Sequence, residues 1–80
     1  MATGKIETGI KYIDISDSTP VNVNTKSGYV VTRDNFISAV PFSTQVICLP
    51  YYNNNILYLA LKDTALNTVS GDKDIRVYYK

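Results

Sequence analysis

Eight Val, eight Ile and eight Thr fill 24 of the 80 positions, and seven Tyr and two Phe join them. Side chains branched at Cβ and aromatic rings suit a pleated, half-buried surface better than a helix. Strong helix formers are scarce: four Ala, five Leu, one Glu, one Gln and one Met. No stretch of eleven or more residues carries apolar positions at helical spacing with a polar opposite face. The chain therefore reads as all-β. Its length allows one domain, a small antiparallel β-sandwich or jelly-roll-like fold of about six to seven strands.

Period-two alternation and turn residues divide that domain. Residues 1–9 read as a flexible lead and residues 10–80 as the sandwich. Ile10–Ile15 opens it, with Ile10 and Tyr12 on one phase and Ile13 and Ile15 on the other, which predicts a bulge near Tyr12–Ile13. Val21–Asn24 alternates after Pro20, and Tyr29–Arg33 follows the turn residues Lys26-Ser27-Gly28. Asp34-Asn35 turns the chain into Phe36–Val40, a short edge strand ending at Pro41. Thr44–Tyr51 contains the run Val46-Ile47-Cys48-Leu49, which predicts a strand covered on both faces. Ile56–Lys62 alternates with Leu57, Leu59 and Leu61 inward, and Ile75–Tyr79 closes the set. The expected core is Ile13, Ile15, Val21, Val23, Val31, Phe36, Ile47, Leu49, Leu57, Leu59, Leu61, Ile75 and Val77.

The same composition removes most chemistry. Histidine is absent, so Cys48 has no imidazole base to make thiolate and reads as a core residue. The seven carboxylates are Glu7, in the lead, and six Asp at apparent strand ends or turns, where Asp bonds its own backbone. They show no paired arrangement of the kind a glycosidase needs. Asp72-Lys73-Asp74 offers too few oxygens for calcium and reads as a solvated turn. Neither an enzyme nor a cofactor is expected. A net charge of +1 gives no field for nucleic acid, and no apolar run is long enough for membrane insertion. Met1–Gly9 has no apolar segment of the signal-peptide kind.

Two stretches remain as candidate contacts. Tyr51-Tyr52-Asn53-Asn54-Asn55 follows Pro50 between two apolar strands and reads as a hairpin loop. Its rings and amides suit ligand binding, and the asparagines equally suit a plain turn. In the last strand Arg76, Tyr78 and Lys80 share one face, and Tyr78 and Tyr79 lie on opposite faces. Arg76, Tyr78 and Tyr79 are therefore candidate oligomer contacts. A chain of this size with no disulfide or metal commonly relies on self-association.

Lys11-Tyr12-Ile13-Asp14-Ile15-Ser16, Asn55-Ile56-Leu57-Tyr58-Leu59-Ala60-Leu61-Lys62 and Ile75-Arg76-Val77-Tyr78-Tyr79-Lys80 together carry a resemblance. The pattern resembles the small β-rich distal domains of phage and prophage tail fibres and receptor-binding proteins. The chain departs from them in lacking Trp, a collagen-like repeat and a heptad shaft. The resemblance implies a tail-tip module that binds a cell-surface glycan and forms a homo-oligomer, a trimer above all. It implies a place in the virion, or in the host cytoplasm before assembly. A structural, particle-decorating β-domain and an Ig-like binding module of a bacterial surface protein are the competing expectations.

Overall fold

The computed structural model of the chain describes residues 2–5 and 9–80. Among these residues are seven strands and one helical turn. The strands are β1 (Ala2–Lys5), β2 (Lys11–Asp17), β3 (Val21–Asn22), β4 (Phe36–Pro41), β5 (Ile47–Asn53), β6 (Ile56–Lys62) and β7 (Lys73–Tyr79), and α1 spans Val23–Lys26. They form a four-stranded sheet in the order β1-β2-β7-β4 and a three-stranded sheet in the order β3-β6-β5, with every pairing antiparallel. The expected all-β class is the observed one.

The two inner faces meet in a single core. β6 sends Leu57, Leu59 and Leu61 inward, and β2 and β7 answer with Ile13, Ile15, Ile75, Val77 and Tyr79. Side chains two residues apart share a face of a strand, so each alternating run delivers a continuous apolar row. Val21, Val23, Val31 and Val46 complete the core. Asn54 and Asn55 both have positive φ (52° and 64°) and join β5 to β6 as a two-residue turn, a conformation that asparagine tolerates.

Several expectations are corrected. Residues 1–9 were read as a flexible lead, yet Ala2–Lys5 pairs with β2 from Ala2↔Asp14 to Lys5↔Lys11; Met1 and residues 6–8 lie outside the described residues. The predicted bulge at Tyr12–Ile13 is absent, since β2 pairs with β7 without a register shift from Lys11↔Tyr79 to Asp17↔Lys73. The strand predicted over Val21–Asn24 stops at Asn22, whose Oδ1 accepts from the Thr25 N–H at 3.1 Å and caps the turn α1. Tyr29–Arg33 is a turn rather than a strand. Val31 nevertheless reaches the core, because its N–H donates to Ser27 Oγ at 3.1 Å.

β5 lies in one of two packed sheets, so only its inner face turns to the core, and at the sheet edge even that face is incompletely covered. Ile47 is half-buried and Leu49 is 43% exposed, and neither belongs to the core. Phe36 packs partly buried at its rim, and Val46 and Tyr79 are core residues the sequence pattern did not mark.

Candidate functional site

The outer face of the four-stranded sheet carries the most organised set of side chains. Strand register puts Asp14 opposite Arg76 and Tyr12 opposite Tyr78. Arg76 Nε donates to Asp14 Oδ1 at 2.7 Å and Nη2 donates to Asp14 Oδ2 at 3.0 Å, a two-pronged pair across the β2–β7 ladder. The Arg76 guanidinium carbon lies 4.2 Å from the centre of the Tyr12 ring and 5.3 Å from that of Phe42. Tyr12 and Tyr78 meet edge to face at 6.3 Å. The hydrogen bond from Arg76 holds the Asp14 carboxyl below the usual carboxylate range, against the smaller opposing effect of desolvation. Arg76 is itself pushed further up, first by its hydrogen bond to Asp14. Both charges are spent on each other.

Phe42 divides this face into two lobes. Its backbone N–H donates to the Asp74 carbonyl at 3.1 Å, which fixes the chain just beyond β4, and its side chain is 58% exposed. On one side lies a cleft of about 480 Å³ lined by Asp14, Ser16, Thr25, Lys26 and Asp74. On the other lies a cleft of about 220 Å³ lined by Val40, Pro41, Arg76 and Tyr78. Asp74 is exposed, lines the larger cleft, and its carboxylate makes no ion pair or hydrogen bond with the described residues.

The predicted ligand stretch comes together only in part, Tyr52 and Asn55 meeting at Arg33. Tyr51 and Tyr52 lie within β5 and point to opposite faces. Tyr51 stacks on Tyr58 at 5.4 Å on the outer face of the three-stranded sheet. Tyr52 lies under the Arg33 guanidinium at 5.5 Å, while Arg33 Nη1 donates to Asn55 Oδ1 at 2.6 Å. Asn53 ends the strand, and Asn54 and Asn55 make the turn. A separate polar cleft of about 440 Å³ opens beside Arg33, Asp34 and Asn55.

Of the predicted oligomer contacts, Arg76 and Tyr78 share the outer face, but Tyr79 is a correction. It is 7% exposed and forms part of the subunit's own core. Cys48 is half-buried at the edge rather than enclosed, and desolvation raises its thiol to about 11. Asp63 and Asp17 do bond local backbone, Asp63 Oδ1 accepting from the Ala65 and Asn67 N–H groups at 2.9 Å. Asp14 and Asp74 instead lie inside strands. Among the described residues no three His, Cys, Asp or Glu side chains converge on a metal position.

Sequence reading missed Tyr12, Asp14, Phe42 and Asp74 as site residues. The signal was present in part, because Tyr12 and Asp14 on one strand and Arg76 and Tyr78 on another occupy the phase opposite the core residues. Their meeting depends on β2 pairing with β7, 62 positions away. Comparisons with protein-family models, with curated proteins and with solved structures gave no match. No helix among the described residues is long and apolar enough to cross a membrane.

Proposed function

We propose that the chain is a non-enzymatic binding module of a phage or prophage tail tip, a homo-oligomer that meets a neutral cell-surface glycan in the groove astride Phe42. The observation that carries this reading is an exposed aromatic ring between two clefts, one that includes Ser16, Lys26 and Asp74 and one that includes Val40, Pro41, Arg76 and Tyr78. A sugar presents an apolar C–H face and a rim of hydroxyls. Phe42 would take the first, and Asp74, Ser16 and Lys26 would bond the second. Because Arg76 is claimed by Asp14, the groove offers no free guanidinium to attract a polyanion. Affinity per site is expected near millimolar, equivalent to about 4 kcal/mol, with avidity supplied by several copies.

A glycan array probed with the wild type, with Phe42→Ala and with a Tyr51, Tyr52 and Asn54 triple alanine variant tests the proposal. Loss of signal by roughly tenfold or more in Phe42→Ala alone, with little dependence on salt, is the expected result. Loss only in the triple variant would move the ligand to the β5–β6 hairpin. No binding by the wild type would overturn the glycan reading.

A second reading has one observation behind it. Leu49 (43% exposed) and Tyr51 (40% exposed) lie uncovered on the outer face of the three-stranded sheet. That apolar face suits the structural, particle-decorating role.

A further inference from the structure

The polar cleft beside the β5–β6 turn lies at the other end of β4 from the Phe42 groove, since Arg33 and Asp34 precede that strand and Phe42 follows it. It is lined by Asn24, Thr32, Arg33, Asp34 and Asn55. Its volume of about 440 Å³ falls among small-molecule sites, which span about 300–1,000 Å³. Two of its side chains are fixed in place and only half used.

Asn24 is the first. It is 9% exposed, and its Oδ1 accepts the Leu57 N–H at 3.2 Å, which sets the amide and leaves Nδ2 as a donor. Nδ2 has no hydrogen-bond partner among the described residues, yet it is not sealed from solvent. The opening it meets is this cleft.

Arg33 is the second. Its guanidinium lies over the Tyr52 ring at 5.5 Å, and Nη1 donates to Asn55 Oδ1 at 2.6 Å. The turn that carries it is fastened as well: the Thr32 N–H donates to Asn35 Oδ1 at 2.7 Å, and the Phe36 N–H donates to the Thr32 carbonyl at 3.0 Å. The Nε–Nη2 edge of Arg33 makes no hydrogen bond or ion pair among the described residues. By the same edge Arg76 grips both carboxylate oxygens of Asp14.

We infer that this cleft binds an acidic sugar, a single carboxylate on a hydroxylated ring. The carboxylate takes the Nε–Nη2 edge of Arg33. Arg33 is the one cation in the lining and Asp34 stands beside it, so a single negative charge is balanced and a phosphate dianion is disfavoured. Ring hydroxyls donate to the Asp34 carboxylate and accept from Asn24 Nδ2. The five lining residues are all polar and offer no pocket for an apolar peptide side chain. Donors held in position before the ligand arrives lose little freedom on binding. The site is separate from the Phe42 groove and does not depend on the reading of that groove.

NMR titration of the isotope-labelled full chain tests this, with methyl glucuronide as the probe and methyl glucoside, acetate and inorganic phosphate in parallel. The glucuronide should shift the Asn24 and Asn55 side-chain amides and bind roughly tenfold or more tighter than the other three, weakening as salt is raised. Arg33→Gln should lose the preference for glucuronide over glucoside at an unchanged melting temperature. Arg33→Lys should regain only part of it, because an ammonium keeps the charge without the fork. Phe42→Ala should bind as the wild type does. No shift in the wild type, or glucuronide binding that survives Arg33→Gln, overturns the site. Acetate or phosphate binding as tightly as the glucuronide overturns the acidic-sugar assignment, and loss in Phe42→Ala instead places the ligand in the Phe42 groove.

Discussion

Replacing Asn24 by Ala tests how the edge of the three-stranded sheet is held. Asn24 is 9% exposed, and its Oδ1 accepts the N–H of Leu57, a residue with no solvent exposure. Alanine removes the acceptor and leaves the Leu57 N–H unpaired at the inner end of the polar cleft that Asn24 lines with Thr32, Arg33, Asp34 and Asn55, where water replaces the lost bond only in part. That desolvation penalty is about 1–3 kcal/mol. An 80-residue domain has about 4–12 kcal/mol of stability in total, so the loss is a sizeable share of it. At roughly 4–8 °C per kcal/mol for a domain of this size, the melting temperature should fall by about 5–20 °C. Circular dichroism on heating measures the fall, and NMR hydrogen exchange should show the Leu57 amide among those most accelerated. Thr64→Ala, at an exposed turn position, is the control and should stay within about 0.5 kcal/mol of the wild type. An Asn24→Ala protein that melts with the wild type and keeps Leu57 protected would refute the reasoning.

Two further outcomes follow from the titratable groups. The folded-state pKa of Asp14 lies below its unfolded value, so its contribution is fully present above the ordinary carboxylate range and is lost as pH falls through the depressed value. Urea midpoints should therefore drop below about pH 4, and Asp14→Asn should flatten that part of the curve. Cys48, with its thiol raised to about 11 by burial, should alkylate at neutral pH roughly two orders of magnitude more slowly than a free cysteine and recover the free rate in denaturant.

Strand content and the inward rows were legible in the sequence. β6 matches the predicted Ile56–Lys62, and its three leucines are fully buried, because a period of two is a local property that any covering layer turns into a face. β4 and β7 were readable for the same reason. The Asn54–Asn55 turn was readable as a turn because its conformational preference belongs to the residues themselves.

What failed was decided by position in the sheets. Val46–Leu49 looks like a doubly covered strand, but β5 belongs to a two-layer sandwich with nothing over its outer face among the described residues, and an apolar run carries no record of how many layers will cover it. Val21–Asn24 alternates like a strand, yet Asn22 capping Thr25 and Asn24 plugging the Leu57 N–H bend it into a turn, and the second of those bonds spans 33 positions. Composition and alternation thus determined an all-β chain with alternating inner rows, since those depend on neighbours one or two residues away. Tertiary structure decided which strands became edges and which outward residues met. Asp14 finds Arg76, and Phe42 is anchored beside Asp74, only after the ladders have set their register, because the energy that selects those pairings comes from burying distant segments together.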